Sequence, residues 1–271
     1  MKKVLLIGDM VGFGKVGVSA MMPVMAAKGH YISVMPTAFI SNPFNFGKIK
    51  NMSTVEYMED TMKIWDELGF TFDYVFTGYI KTGYQANLIA DFCKKQKEKG
   101  AKVFTDTIMG EDGHKYGGLS DDLFEEVKKV VDVSDCFLPS YTEVCFLLGE
   151  EYETDTPKEK MDRILDELIS MGERDIVITS CVVDGVHCCV GYDKTKKEKF
   201  LKPFDYVDVK IGGTGDLFSS TLMGDMINGK PFMDAVQNAM DLVREMIILS
   251  KDNPVGLEGI YLEKYIDKFK Q

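Results

Sequence analysis

Short apolar runs alternate with longer segments in which apolar residues recur at helical spacing, and this pattern continues along most of the chain. The apolar runs have the length and composition of β-strands. The predicted strands are Val4–Ile7, Tyr31–Met35, Tyr74–Thr77, Val103–Asp106, Cys136–Leu138 and Ile176–Thr179. The predicted helices are residues 16–28, 53–68, 84–99, 120–132, 142–148, 157–171, 216–228 and 231–250. Because strands and helices alternate, the pattern predicts a mainly parallel sheet with helices on both faces.

Local signals refine this outline. Ser53 and Glu56 have the spacing of a capping box, which predicts the start of the second helix. The segments Val186–Tyr192 and Lys199–Pro203 resemble the two strands of a β-hairpin. No linker rich in Gly, Ser or Pro divides the chain. We therefore expect one domain over residues 1–271, built as a three-layer α/β/α sandwich with a mainly parallel central sheet.

The composition excludes several classes of protein. The chain has 32 basic and 43 acidic residues, a net charge of −11, so its surface repels nucleic acids and anionic membranes. No signal-peptide pattern precedes the first predicted strand, and no apolar run is long enough to span a bilayer. The 6 cysteines have no metal-binding spacing and are expected to be buried free thiols. Together these features favour a cytoplasmic protein.

A run of small residues near the end of the chain carries most of the chemical information. Gly213, Thr214 and Gly215 lead directly into an apolar helix, whose first N–H groups are unpaired and partly positive. Such a turn binds anions, most often phosphate. A carboxylate beside it, here Asp216, is suited to taking a proton from an attacking hydroxyl. The residues alone leave two interpretations open: a small-molecule kinase, or a tight turn in which Asp216 merely caps the helix.

A second glycine motif lies near the N-terminus. The segment Gly12–Gly17 matches G-x-G-x-x-G after a strand and before a helix, as in dinucleotide-binding proteins. That fingerprint also requires an acidic residue about 20 positions further on. The chain has no Asp or Glu between Asp9 and Glu56. A turn that lines a substrate pocket therefore suits these glycines better than a dinucleotide site.

Several polar residues follow predicted strands, where parallel sheets bind ligands. Asp106 and the acidic glycine-rich loop after it suit Mg²⁺ held partly through water. Glu143 lies in the first turn of a helix, where it also complements the helix dipole. Thr179 and Ser180 have hydroxyls for phosphate, although both residues are also common in turns.

Taken in chain order, these segments resemble the ribokinase superfamily and, within it, the pyridoxal kinase group. The resemblance extends over nearly the whole chain. Its matching segments are Val11–Lys15, Pro36–Ala38, Thr77–Ile80, Asp106–Gly110, Leu138–Glu143, Ile178–Ser180 and Gly213–Phe218. One such motif would be weak, but their joint order and spacing strongly favour the kinase interpretation.

The resemblance implies ATP- and Mg²⁺-dependent phosphorylation of the 5′-hydroxymethyl group of a vitamin B6 vitamer by a homodimeric enzyme. It implies that Asp216 is the catalytic base and that the N–H groups of Gly213, Thr214 and Gly215 form an anion hole. The other implied contacts are Thr179, Ser180 and Tyr116 to ATP, Asp106 and Glu143 to Mg²⁺ partly through water, and Asp9, Phe44, Gly78 and Tyr79 to the substrate. The segment 201–211 would flank the nucleotide.

The segment expected to bind the substrate matches the pyridoxal kinase group less well than the other segments do. Pro43 and Phe44 stand where many relatives have a His-Thr pair that contacts the pyridine ring. Phe44 is able to stack on an aromatic ring but not to replace the lost hydrogen bonds. Three alternatives therefore stay open: a B6 kinase, a related kinase for another small alcohol such as a hydroxymethylpyrimidine, nucleoside or sugar, and a non-catalytic protein that binds a small molecule.

Overall fold

A nine-stranded β-sheet forms the centre of the molecule in a computed structural model, which describes residues 1–251 and 259–270. The strands are β1 Lys3–Val11, β2 Tyr31–Ile40, β3 Asn51–Ser53, β4 Tyr74–Thr77, β5 Lys102–Thr105, β6 Gly110–Glu111, β7 His114–Lys115, β8 Cys136–Phe137, β9 Asp175–Val183, β10 Val186–Asp193 and β11 Glu198–Pro203. Their order in the sheet is β11-β10-β9-β8-β5-β4-β1-β2-β3, while β6 and β7 form a separate hairpin. Every pairing from β2 across to β9 is parallel, and the pairings of β3, β10 and β11 are antiparallel.

Helices cover both faces of this sheet. They are α1 Val18–Ala27, α2 Val55–Glu67, α3 Gly83–Glu98, α4 Leu123–Glu126, α5 Lys128–Asp132, α6 Tyr141–Leu148, α7 Lys158–Ser170, α8 Thr214–Ile227, α9 Phe232–Ser250 and α10 Leu262–Tyr265. Short 3₁₀ segments occur at Phe44–Phe46 and Ile266–Phe269. In the described residues, no helix is both long enough and apolar enough to cross a membrane.

The three layers follow from the alternation of side chains along the buried strands. In β1, Leu5 and Ile7 belong to the core that includes residues of α2, α3, α6 and α7. Val4 and Leu6 belong to the core on the opposite face, with residues of α1, α8 and α9. Both faces are apolar, so the strand is a continuous hydrophobic run, as parallel sheets require. The predicted three-layer α/β/α architecture is confirmed.

Two local expectations were wrong. The helix expected to start with a capping box at Ser53 begins after Thr54 and has no side-chain cap, because the hydroxyl of Thr54 donates to the carbonyl of Pro36 at 2.6 Å. The helix expected over residues 120–132 is two short helices, α4 and α5, which meet at Val127. The predicted β10–β11 hairpin and the six buried free cysteines are confirmed.

Candidate active site

The carboxyl ends of the parallel strands lie level with one another along one edge of the sheet. Ile7 of β1 pairs with Thr77 of β4. Thr77 in turn pairs with Thr105 of β5. The residues after these positions emerge side by side, among them Asp9 and Asp106. The edge is the one at which parallel α/β sheets bind ligands.

The glycine turn forms the N-terminus of α8 at this edge. Gly213 is the N-cap residue and has a φ of 87°, in the left-handed region. A side chain there would also place its Cβ 2.2 Å from the backbone oxygen of Lys15, so the position requires glycine. Thr214 and Gly215 are the first helical residues, and their N–H groups have no partner within the helix. The predicted anion-binding geometry is therefore present.

Asp216 is buried in the first turn of α8. Its Oδ2 accepts a hydrogen bond from the N–H of Gly17 at 2.8 Å, while Oδ1 has no hydrogen-bond partner among the described residues. Burial raises the pKa of Asp216 to about 6, although the Gly17 hydrogen bond opposes the shift. Because Gly213 is the N-cap and no side chain caps α8, the interpretation of Asp216 as a helix cap was wrong.

Gly17 lies between two carboxyl groups. Its N–H donates to Asp216, and a Cβ on Gly17 would lie only 2.5 Å from Oδ1 of Asp9. Burial and, to a lesser extent, the negative charge of Asp216 raise the pKa of Asp9 to about 7. The glycine motif near the N-terminus thus serves the packing of this acidic pair, as expected for a turn that lines a pocket.

Asp106 and Glu143 are both buried, and Glu143 is hydrogen-bonded to the loop that follows Asp106. Oδ2 of Asp106 accepts from the hydroxyl of Ser219 at 2.9 Å. Glu143 accepts from the N–H of Met109 at 2.9 Å through Oε1 and from the N–H of Ser140 at 2.7 Å through Oε2. With Ser140, Glu143 forms a capping box at the start of α6. Burial raises the pKa of both acids, and the charge of Glu143 raises that of Asp106 further.

The donor set fits a hard cation that keeps its water ligands. In the part of the chain that the structure describes, no three His, Cys, Asp or Glu side chains are grouped to hold a metal ion directly. Glu143 already accepts backbone hydrogen bonds on both oxygens, so most of its contacts to an ion would pass through water. Asp106 and Glu143 also repel each other, and a cation would relieve that repulsion. Mg²⁺ suits such a site because it usually retains several waters.

Aromatic rings form a further wall of this site. The ring of Phe44 stacks on that of Tyr116, with centroids 5.4 Å apart and planes 6° apart, and lies 6.2 Å from the ring of Tyr79. Tyr116 follows the β6–β7 hairpin, and its N–H donates to the carbonyl of Met109 at 2.9 Å. The stack therefore connects the segment around Phe44 to the loop that Glu143 holds.

Two adjoining cavities open at this edge. The larger cavity, about 370 Å³, is lined by twelve of the thirteen predicted site residues: Asp9, Phe44, Tyr79, Asp106, Tyr116, Glu143, Thr179, Ser180, Gly213, Thr214, Gly215 and Asp216. The exception is Gly78, whose N–H donates to the carbonyl of Ile7 at 2.7 Å beneath the site. Apart from Gly78, the sequence-predicted residues converge on one cavity.

The smaller cavity, about 310 Å³, begins where the larger one ends. The two cavities share a wall that includes Thr179, Ser180, Thr214 and Gly215. Beyond that wall, the rings of His187 and Tyr206 stack with centroids 4.2 Å apart, and Tyr206 belongs to the segment 201–211 expected to flank a nucleotide. The glycine turn thus lies between the two cavities.

Sequence reasoning assigned no individual role to Gly17, Ser219 or Lys210, which all line the larger cavity. Ser219 had a signal, since it lies three residues after Asp216 and therefore on the same face of α8. Gly17 was part of a motif already noticed, but only the fold shows that its N–H meets Asp216. Lys210 lies in the segment 201–211 that the resemblance placed beside a nucleotide, but no pattern singled it out.

The fold is that of solved pyridoxal kinases, and the sequence family assigns the chain to the kinases with an alcohol acceptor. The chain belongs to the phosphomethylpyrimidine kinase family, whose sequence model matches residues 14–259. No curated protein sequence matches it. Membership of this kinase family excludes the dinucleotide-enzyme alternative.

Solved structures resemble the chain over its whole length. A Bacteroides thetaiotaomicron protein, provisionally assigned as a phosphomethylpyrimidine kinase and solved with pyridoxal, is 25% identical, has a TM-score of 0.93, and is matched over 100% of this chain and 96% of its own. Pyridoxal kinase from Lactobacillus plantarum is 18% identical, with a TM-score of 0.90 and coverages of 99% and 96%. Pyridoxal kinase from Leishmania donovani, in complex with ADP and pyridoxamine, is 22% identical, with a TM-score of 0.86 and coverages of 100% and 96%. At 18% and 22% identity, the last two comparisons establish the fold.

Proposed function

We propose that this protein transfers the γ-phosphoryl group of ATP to the 5′-hydroxymethyl group of a vitamin B6 vitamer: pyridoxal, pyridoxamine or pyridoxine. One observation carries the proposal. A buried carboxylate, Asp216, sits at a helix N-terminus built to bind anions, with one oxygen held by Gly17 and the other unpartnered. A base and a phosphate cradle placed this close are what phosphoryl transfer to an alcohol requires.

In the proposed reaction, the nucleoside occupies the smaller cavity and the acceptor alcohol occupies the larger one. The phosphates then pass the shared wall at Thr179 and Ser180. Asp216 takes the proton of the attacking hydroxyl, the alcohol oxygen bonds to the γ-phosphorus, and the bond to ADP breaks. The N–H groups of Gly213, Thr214 and Gly215 stabilise the charge on the transferred group, because preformed donors need no reorganisation.

A magnesium ion belongs to the same proposal. Asp106 and Glu143 would hold it largely through water, and it would offset phosphate charge when bound. Ser219 fixes one oxygen of Asp106, and the backbone of Ser140 and Met109 fixes both oxygens of Glu143. These hydrogen bonds orient the two carboxylates without blocking them.

The acceptor assignment depends on the aromatic wall. Phe44, Tyr79 and Tyr116 offer flat apolar surface to a planar ring, and Asp9 offers the polar contact. The related Bacteroides protein was solved with pyridoxal, which supports a B6 vitamer. A hydroxymethylpyrimidine is the second candidate, since the matching family is named for phosphomethylpyrimidine kinase and Pro43 and Phe44 replace a polar pair.

The test combines a substrate panel with one substitution. ADP release is measured with the three B6 vitamers, hydroxymethylpyrimidine, nucleosides and sugars, and a B6 vitamer is expected to give the highest kcat/KM. Asp216→Asn should lower kcat by roughly 10²- to 10⁴-fold while nucleotide binding persists. The control is Asp234→Asn, since Asp234 also lies in the first turn of a helix but is exposed and lines neither cavity. Activity of Asp216→Asn within a few-fold of wild type would eliminate the base assignment.

We also propose that the chain forms one domain and assembles as a homodimer. The support for assembly is an apolar patch at the β3 edge of the sheet. Phe39 and Met52, which are paired across β2 and β3, have 42% and 54% of their surface exposed. Exposed apolar side chains on an edge strand favour association with another chain.

A further inference from the structure

Lys210 is a positively charged residue in a site whose other charged residues are mainly acidic. It lies three residues before Gly213 and lines both cavities, at the wall they share. Its Nζ is 2.6 Å from Oδ2 of Asp112, at the turn of the β6–β7 hairpin. The pair therefore connects the segment before the glycine turn to the hairpin opposite it.

The charges around this pair are strongly unbalanced. Six acidic residues line the larger cavity: Asp9, Asp106, Glu111, Asp112, Glu143 and Asp216. Within the described ranges, Lys210 is the one Lys, Arg or His that lines this cavity. A nucleotide whose phosphates reach the glycine turn must enter this negative field, so a cation at the wall that the two cavities share has a large effect on binding.

Other basic residues nearby are placed less well for this role. Arg244 lines only the smaller cavity and pairs with Asp205 at 3.3 Å. Lys15 lines neither cavity and pairs with Glu263 at 2.8 Å. Lys210 alone combines contact with both cavities and proximity to the glycine turn.

We propose that Lys210 is the phosphate-binding cation of this kinase. We further propose that Asp112 holds it at the wall that the two cavities share until the phosphates of a nucleotide replace the carboxylate. The inference rests on the proposed function, because it needs a nucleotide whose phosphates cross the shared wall. The Lys210–Asp112 pair is suited to exchange: the two side chains are 80% and 61% exposed, and exposed ion pairs are weak. Phosphate oxygens make strong charge-assisted hydrogen bonds and displace such a partner.

The experiment measures ADP and AMP binding by calorimetry in the absence of acceptor. Lys210→Met should weaken ADP binding by roughly tenfold or more, the usual effect of losing a charged hydrogen bond, and should affect AMP less. Lys210→Arg should retain most of the affinity. Asp112→Asn should tighten ADP binding by up to about fivefold, since the lysine is then released from its competing partner. That gain should vanish in the Lys210→Met, Asp112→Asn double variant.

The control is Lys158→Met, because Lys158 is an exposed lysine paired with Asp162 at 2.7 Å on α7, away from both cavities. A lysine with a merely structural role would not give opposite signs for Lys210→Met and Asp112→Asn. Unchanged ADP affinity in Lys210→Met, with a wild type that binds ADP and turns over, overturns this inference alone. A wild type that binds no nucleotide overturns the proposed function as well.

Discussion

Asp216 is the residue whose chemistry depends most directly on its surroundings. A carboxylic acid at the surface ionises near pH 4, but burial raises the pKa of Asp216 to about 6. The shift makes the carboxylate a stronger base while leaving it mostly ionised at neutral pH. Gly17 limits the shift by donating to Oδ2. The pKa of the proposed base is therefore adjusted by a residue that lies 199 positions away in the chain.

The raised pKa of Asp216 predicts where the rate falls on the acidic side of the pH–rate profile. Asp216 acts as a base only when ionised, so kcat should be maximal above pH 6 and fall about tenfold per unit below it, as the carboxylate is protonated. The measurement is steady-state kcat between pH 4.5 and 8.5 at saturating ATP and acceptor. A limb centred near pH 4 would show that the rate does not depend on this buried carboxyl group.

Asp9 supplies the control for this profile. Its pKa of about 7 lies above that of Asp216, so Asp9 is still largely protonated when Asp216 ionises. An uncharged neighbour exerts no charge repulsion, and Asp9→Asn should leave the limb near pH 6. A limb that moved by more than about one unit would mean that the two acids titrate as a strongly coupled pair.

Individual residues were predictable from sequence where the backbone pattern around them was distinctive. Gly213, Thr214, Gly215 and Asp216 were predicted because a small-residue turn before an apolar helix favours an anion site, and the order and spacing of the other motifs favoured that interpretation over a helix cap. Lys210 was expected only as part of the segment 201–211, because a lone lysine before such a turn has no distinguishing pattern. Its position depends on the cavities that form only when distant segments pack.

At the scale of elements, α8 is held in place by a buried charge network at its far end. Oδ1 of Asp225 accepts from the ammonium of Lys28 at 2.6 Å, and both side chains are 1% exposed. Oδ2 accepts from Lys230 at 2.9 Å and from Asn238 of α9 at 2.6 Å. Gly224 makes room for this contact, since a Cβ there would lie 2.2 Å from Cδ of Lys28. The network joins α8, α9 and the end of α1.

The two partners of this ion pair should differ in importance. Asp225→Asn leaves the ammonium of Lys28 buried without a counter-charge and should lower the free energy of unfolding by about 3–5 kcal/mol. Lys28→Met should cost clearly less, because Asp225 keeps Lys230 and Asn238. Urea unfolding at pH 7 followed by circular dichroism measures both. Equal losses for the two variants would contradict the asymmetry.

Element boundaries show where sequence signals stop being sufficient. Ser53 with Glu56 and Ser140 with Glu143 have the same spacing, yet only the second pair forms a capping box. The start of α2 is instead fixed by the hydrogen bond from the hydroxyl of Thr54 to the carbonyl of Pro36 in β2. The capping pattern shows only that a capping box is possible at a helix start, and tertiary contacts determine whether the box forms.

At the scale of the whole molecule, the alternation of strands and helices was enough to predict the three layers. It was not enough to predict the sheet order, in which β1 lies between β4 and β2 while β3 forms one edge. Strand β3 is three residues long and was not predicted, because so short a run has no measurable periodicity. The apolar patch on that edge was therefore also invisible in the sequence.

The patch gives the prediction for the assembled molecule. If it is the dimer contact, Met52→Asp places a charge in an apolar interface and should weaken association by roughly tenfold or more, because a buried charge without a partner is strongly unfavourable. Sedimentation equilibrium over a range of protein concentrations measures the constant. Ile248→Asp is the matched control, since Ile248 of α9 is an exposed apolar residue, at 38%, on a different element from the β2 and β3 residues of the patch. Wild type should sediment as a dimer, the control should do the same, and Met52→Asp should shift to monomer. A wild type that is monomeric at every concentration would remove the dimer proposal, whereas equal dissociation of both variants would place the contact elsewhere.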